Sequence, residues 1–346
     1  MIRVTKISLG IFASILLCGA ATAGEQDLSK RVLQQDGWVS YQVPMVAEAG
    51  SPCCLESYGK HASRSGTCDL DNRSWNISSD EHGSHSVDGT LALFLHVEHG
   101  QIDKMRAFGA SCPIREGQQI RLLDNVSSAD SIALLAQAVA HADAAKGDIK
   151  DVNDTELAAI ALHADEAATA ALAQLSDKSH PRKLREQALF WSGQMRGKAG
   201  AQLVEHVART DPDAELRAEA IFALSESHGI DVYASIRDIS LSDSSEHVRE
   251  QAMFWMAQMG DERAGKDITA AISTETSEKV REQAVFALSQ LKDKQAEKAL
   301  IALVRGNYPR KVKEQALFWL GQSGSDEAMD FLDQVLSRPA HSAKEG

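Results

Sequence analysis

The sequence predicts a mostly α-helical chain, an α-solenoid of two-helix repeats behind a small β-rich N-terminal domain. Three observations carry this. An octapeptide returns five times, as LREQALFW from Leu184, LRAEAIFA from Leu216, VREQAMFW from Val248, VREQAVFA from Val280 and VKEQALFW from Val312. Each start lies 32 residues after the last, without slippage. A fixed period of this kind marks stacked units, none of which buries its own apolar face alone. Before the repeats, apolar residues alternate with period two, and all the cysteines fall in that part of the chain or earlier.

At 346 residues, 43% of them hydrophobic, the chain is long enough to bury a large core in two units. Residues 1–23 have a basic start (Arg3, Lys6), an apolar run from Ile7 to Leu17 and the small-residue end Ala21-Thr22-Ala23. That is the pattern of a secretory signal peptide, with an apolar run too short to span a bilayer. The mature chain is expected to begin near Gly24, to carry no transmembrane span and to reside in the periplasm, with secretion or surface display as alternatives. Loss of Arg3 and Lys6 takes the formal charge from −13 to −15. An acidic surface without a basic stripe argues against nucleic acid and against anionic membranes, and suits a basic partner.

From Gly24 to about Val126 the pattern is of strand type. Leu91, Leu93, Leu95 and Val97 alternate with Ala92, Phe94, His96 and Glu98, as on a half-buried strand. Gly100-Gln101 reads as a hairpin turn leading into a return strand over 102–108, and 38–43 and 118–123 are shorter strands. The Ser-, His- and Gly-rich stretch 57–89 reads as a long loop. Cys53, Cys54, Cys68 and Cys112 are the cysteines of the mature chain. In an oxidising compartment they predict disulfides. A bond directly between Cys53 and Cys54 would strain the backbone, so one is expected to reach Cys68 and the other Cys112.

At Ser127-Ser128 an N-cap signal precedes helical spacing at Ile132, Leu135, Ala136 and Val139, which sets a boundary between a head domain (24–126) and a linking helix (127–150). The solenoid follows over 151–336, opening with a degenerate repeat (Leu157, Ile160, Leu162; Ala168, Leu172, Leu175), and residues 337–346 read as a disordered tail. Cap-type residues occupy one column ahead of the octapeptide, Ser179, Asp211, Asp243 and Asn307, with Glu275 as the exception. The second helix shows as the columns Val204, Ile236, Ile268, Leu300, Leu332 and Val207, Ile239, Ala271, Leu303, Val335. Gly193, Gly197, Gly260 and Gly321 are expected at ends or turns.

The run Val280-Arg281-Glu282-Gln283-Ala284-Val285-Phe286-Ala287-Leu288, with its period near 30, resembles the HEAT-like repeats of the phycobilisome-lyase type. The resemblance covers about 151–336 and implies an α-solenoid with the octapeptide helices on its inner, concave side. The head is similar to the N-terminal segment of exported bacterial HEAT-repeat proteins. Some HEAT-like proteins are enzymes: deoxyhypusine hydroxylase holds two irons with His-Glu dipeptides, and the phycobilin lyases act on a tetrapyrrole. This chain has no His-Glu dipeptide and shows the reverse order, as at Glu98-His99, Glu205-His206 and Glu246-His247. A metal-dependent or oxidoreductase enzyme is therefore the alternative reading and not the leading one, and no cofactor is expected.

On a helical wheel started at Val280, Ala284, Ala287, Leu288 and Leu291 form the buried stripe. Phe286 falls on another side, with Gln283 and Gln290 beside it, and this side recurs in every repeat. Its Phe column is Phe190, Phe222, Phe254, Phe286 and Phe318. Its amides include Gln187, Gln251, Gln258, Gln283, Gln290 and Gln315. Aromatics edged by amides suit a groove for an extended peptide, because amides pair with a strand's backbone while rings supply area. The reading favoured over it is that Phe packs against the next repeat and Gln holds inter-repeat loops, since every interface of the array needs a stabilising term. After each Phe the residue alternates, Trp191, Ala223, Trp255, Ala287, Trp319, as in knob-and-hollow packing of a doubled unit. The basic column Arg185, Arg217, Arg249, Arg281, Lys313, with Glu186, Glu250, Glu282 and Glu314 alongside, reads as a solvated or inter-repeat ion-pair ladder. Cys53, Cys54, His61, Cys68, His82 and His85 are the right ligand types for zinc, but irregular spacing and export favour disulfides. The function expected is a non-catalytic scaffold that binds a protein or peptide on the repeat surface.

Overall fold

The computed structural model describes residues 25–46, 56–58, 61–63, 68–71, 89–115, 117–145, 153–292 and 294–337. The expected signal segment, Cys53, Cys54, His82 and His85 lie outside them, as does the tail beyond Ser337.

A short helix α1 (Glu25–Leu33), which the strand-type reading of the head missed, precedes β1 (Gly37–Pro44). β2 (Glu56–Tyr58) and β3 (His61–Ser63) pair as a small hairpin within the stretch expected to be loop. β4 (Thr90–Glu98), β5 (Gln101–Gly109) and β6 (Ile120–Leu122) complete a four-stranded sheet of order β5-β4-β1-β6. β1 and β5 run antiparallel to β4, and β6 lies parallel to β1. The β4–β5 turn is His99-Gly100, with φ of 54° and 74°, one residue earlier than the spacing suggested. Positive φ at both central residues is what a two-residue hairpin matched to strand twist requires.

β4 is not half-buried. Leu91, Leu93, Leu95 and Val97 enter the core beneath the helices, while Ala92 and Phe94 are buried in a second cluster with Trp38, Leu70 and Phe108. The reason is the segment around Cys68, which bridges to Ile114 and lays Cys68 and Leu70 over the far face. Alternation misled here because Ala92 and Phe94, both apolar, occupy the supposedly exposed positions.

α2 (Ser128–Ala145) starts with the expected cap, Ser127 Oγ accepting from the Asp130 amide at 3.1 Å. Ile132, Leu135 and Val139 pack it under the sheet, together with α3 (Asn153–Leu162) and α4 (Ala167–Leu175). The core therefore crosses the 126/127 boundary. The Met45–His163 bridge and the Val46 amide to Leu162 carbonyl bond, 2.9 Å, tie the end of β1 to the end of α3.

Ten helices then form five stacked pairs: α5 (Arg182–Met195) with α6 (Gly197–Thr210), α7 (Ala214–Ser225) with α8 (Val232–Ser242), α9 (Glu246–Gln258) with α10 (Ala264–Thr274), α11 (Glu278–Ser289) with α12 (Gln295–Arg305), and α13 (Arg310–Ser323) with α14 (Asp326–Leu336). Val280, Ala284, Ala287, Leu288 and Leu291 are buried as the wheel required, and so are Val204, Ile236, Ile268 and Leu300 of the second-helix column, whose last member, Leu332, is only half-buried. The octapeptide helices pack closely on one another, whereas successive second helices barely touch. The stack is thus tighter along the octapeptide side, the inner side of its curvature. Gly193 sits within α5 and not at an end: a Cβ there would meet the Ala223 carbonyl oxygen at 2.5 Å, so its bare backbone lets α7 approach. Gly321 likewise lies inside α13.

Candidate binding face

The Phe column lies on the octapeptide helices and stays half-exposed along the stack. Its rings do not stand singly. Phe190 lies on Phe222 at 5.9 Å between centroids and 19° between planes, and Phe254 on Phe286 at 6.4 Å and 7°. Phe222 meets Trp255 at 4.8 Å, and Phe286 meets Trp319 at 5.3 Å. Each Trp also contacts the Phe beside it edge-on: Phe190 with Trp191, Phe254 with Trp255, Phe318 with Trp319. The result is one continuous chain of rings from Trp191 to Phe318, across five repeats.

The Trp/Ala alternation explains its rhythm. Where Ala223 and Ala287 follow the Phe, the space beside the ring is free and Phe222 or Phe286 lies flat on the preceding Phe. Where Trp255 or Trp319 follows, the indole takes the contact with the preceding repeat. The tryptophans, read from sequence as packing knobs, are therefore members of the ladder. Offset or tilted aromatic pairs of this kind contribute about 0.5–1.5 kcal/mol each beyond area burial. Phe318, with no repeat beyond it, is 56% exposed.

The amides divide into two groups. Gln187 and Gln315 are half-buried, and the Oε1 of each is buried without a hydrogen-bond partner. Gln258, Gln283 and Gln290 are exposed, the last donating to Ser289 Oγ at 3.0 Å. Gln251 lines a groove of about 250 Å³ with Glu219, Phe222, His247 and Trp255. In this second repeat both amide positions of the other repeats are carboxylates, Glu219 and Glu226, and both are exposed. The groove is acidic where the rest of the ladder is neutral.

The basic column is an inter-repeat ladder, but its partners are not the neighbouring glutamates. Arg185 pairs with Asp211, Arg217 with Asp243 at 2.8 Å and Arg249 with Glu275 at 2.8 Å, all six side chains largely buried. These acids are the column that looked like helix caps. The caps on the octapeptide helices lie two residues later, at Pro181, Asp213, Ser245, Ser277 and Pro309. Glu275 is thereby explained: it keeps the carboxylate that Arg249 needs. Burial pushes the Asp243 carboxyl up, but the Arg217 bonds and the Ser245 amide outweigh it and hold the group below its ordinary value. The same balance, with Arg249 and the Ser277 amide, holds Glu275 down. Arg217 and Arg249 are raised in turn, first of all by these hydrogen bonds. The outer glutamates take lysines instead: Glu250 binds Lys279 at 3.0 Å and Glu282 binds Lys311 at 3.5 Å. The repeating interval of 26 between arginine and acid was a signal available in the sequence.

In the head, His61 and Cys68 are the only candidate zinc ligands among the described residues, which contain no group of three or more His, Cys, Asp or Glu placed to hold a metal. No helix of the described residues is long and apolar enough to cross a membrane.

Residues 201–289 and 233–316 match the family described as HEAT repeats. No curated protein matches. Among solved structures, YibA of Escherichia coli is similar at 20% identity and a TM-score of 0.33, over 49% of this chain and 64% of YibA. Human deoxyhypusine hydroxylase, solved in complex with glycerol, is similar at 16% identity and a TM-score of 0.30, over 61% of this chain and 82% of that one. The chain spans less than two thirds of YibA's length. The family match, over 201–316, falls within the α-solenoid of two-helix HEAT-like repeats.

Proposed function

We propose that this chain is a non-catalytic, exported interaction scaffold that binds an extended segment of a protein along the ring ladder. The observation that carries the reading is the ladder's continuity: linked, partly exposed rings run through five repeats, so that one extended segment could touch every unit. The exposed amides of Gln258, Gln283 and Gln290 supply donors and acceptors for a ligand's backbone. Glu219 in the groove, with the net charge of −13, favours a basic segment.

Export rests on the basic, apolar and small-residue order of residues 1–23. In an oxidising compartment the head would be stapled to itself. Cys68 and Cys112 are buried together over the far face of the sheet. Their partners in this reading are Cys53 and Cys54, one each, as export into an oxidising compartment would favour.

The test is affinity capture from the envelope extract with the mature chain and with the double variant Phe254→Ala/Gln251→Ala. Loss of a captured partner with helical content unchanged supports the ladder as the site. Equal capture by a folded double variant overturns it.

A further inference from the structure

The arginine ladder has one open rung. In the two well-formed rungs the guanidinium is used the same way. Arg217 donates from Nε and Nη2 to the Asp243 carboxylate at 2.9 and 2.8 Å, and from Nη1 to the Asp211 carbonyl at 2.8 Å. Arg249 donates from Nε and Nη2 to Glu275 at 2.8 and 3.1 Å, and from Nη1 to the Asp243 carbonyl at 2.8 Å. Arg281 keeps the backbone half of this arrangement, with Nη1 donating to the Glu275 carbonyl at 2.9 Å. The carboxylate half is missing. The residue 26 positions on, which is Asp211, Asp243 and Glu275 in the earlier rungs, is here Asn307. Arg281 Nε is buried and has no hydrogen-bond partner.

The space beside it is open. A pocket of about 380 Å³ is lined by Ile272, Ser273, Arg281, Asn307, Tyr308 and Pro309 among others. Ser273 Oγ donates to the Tyr308 hydroxyl at 3.3 Å, which leaves the phenol's own proton for another acceptor. The guanidinium lines this pocket, and none of the other lining residues is acidic, so Nε is left for a planar acceptor from outside the chain. Leaving such a buried donor unpaired is costly, and an exogenous carboxylate removes the cost.

We infer that the Arg281 pocket binds a carboxylate supplied by a ligand, through Nε and Nη2, in the geometry with which Arg217 and Arg249 hold Asp243 and Glu275. The source is either a small carboxylic acid or the free C-terminal carboxylate of a peptide. None of these residues belongs to the ring ladder, so the inference stands apart from the proposal above.

The experiment follows the Nε–H resonance of Arg281 in the full mature chain, ¹⁵N-labelled, at constant ionic strength held with chloride. The probes are sodium acetate, a short peptide with a free C-terminus and its C-terminal amide. A saturable downfield shift with acetate is expected; Arg281→Lys, which keeps the charge and loses the fork, is followed instead at the Asn307 side-chain amide, where acetate binding should be at least tenfold weaker than in the unmodified chain. In Asn307→Asp the chain supplies its own carboxylate, so the resonance should start near the bound position and not move. Asn307→Ala should titrate like the unmodified chain. A free peptide that binds more tightly than acetate while its amide is inert identifies a C-terminus as the source; equal or weaker peptide binding identifies a small acid. A shift that never saturates, or Asn307→Asp titrating like the unmodified chain, overturns the inference.

Discussion

The core of the repeat array and the core beneath the sheet close very different distances along the chain. From α7 to α12, the helices pack on their own pair and on the pairs before and after. Beneath the sheet, β1, α2 and α3 meet through residues far apart in sequence: Tyr41 O–H reaches Ser131 Oγ at 3.0 Å across 90 positions, and Ser131 Oγ lies 2.9 Å from His163 Nε2. Helix α5 belongs to both, with Leu189 in the core of the array and Leu184, Ala188 and Trp191 in the core beneath the sheet. A neighbour-only core is expected to fail locally, a long-range core as one unit.

The largest test of this contrast is a pair of core truncations. Ile236→Ala and Leu93→Ala each remove a fully buried side chain and should cost about 4 kcal/mol. Hydrogen exchange should show Ile236→Ala opening α7 to α10 with the sheet still protected, and Leu93→Ala lowering protection of the sheet, α2 and α3 together. Uniform loss in both variants would erase the distinction.

Next come the rungs between repeats. Asp243→Ala strands the Arg217 guanidinium and should cost about 3 kcal/mol in urea unfolding, against less than about 0.5 kcal/mol for Glu314→Ala, whose partner Arg310 is 91% exposed.

The sheet junction should carry a pH dependence that the array lacks near neutrality. His163 Nδ1–H donates to the Ala159 carbonyl at 2.7 Å, so the neutral ring accepts at Nε2 from Ser131, which accepts from Tyr41. Burial lowers the His163 pKa from 6.5 to about 4, against the Ala159 bond and with the help of Arg196. A histidine depressed on folding binds protons more readily unfolded, so its stability is fully present above pH 6.5 and is lost as pH falls toward 4. At 1.36 kcal/mol per unit, the loss between pH 7.5 and pH 4 is about 3 kcal/mol. His163→Gln should flatten that part of the stability profile; an unchanged slope would assign it to other groups.

The smallest effect separates the middle of the ladder from its end. Phe254→Ala should cost about 2 kcal/mol and Phe318→Ala less than about 1 kcal/mol, because only the former stacks on a following repeat. Equal losses in thermal unfolding would mean that ring stacking contributes little.

The period of 32 was legible because each repeat faces a copy of itself, so a column of like residues is also a row of contacts. The buried stripe of α11, the second-helix column and the stacked Phe residues all followed from it. The same logic held the arginine rungs, whose acids recur at an interval of 26, although a column of Asp, Glu and Asn was easily taken for helix caps. In the head no residue has a copy. Helix α1, the burial of Phe94 by a segment around Cys68, and the Tyr41–Ser131–His163 relay depend on pairings that no local pattern encodes.

The sequence by itself determined the repeat architecture, its length and the residues facing each interface, since helical periodicity and a fixed repeat make local spacing equivalent to spatial position. Tertiary structure alone decided that the rings join into one ladder, that a single core crosses from sheet to helices, and that Arg281 is left without an anion. Those outcomes depend on side-chain directions and on contacts closed over many tens of residues, where the free energy is set by which groups meet and not by what each segment prefers alone.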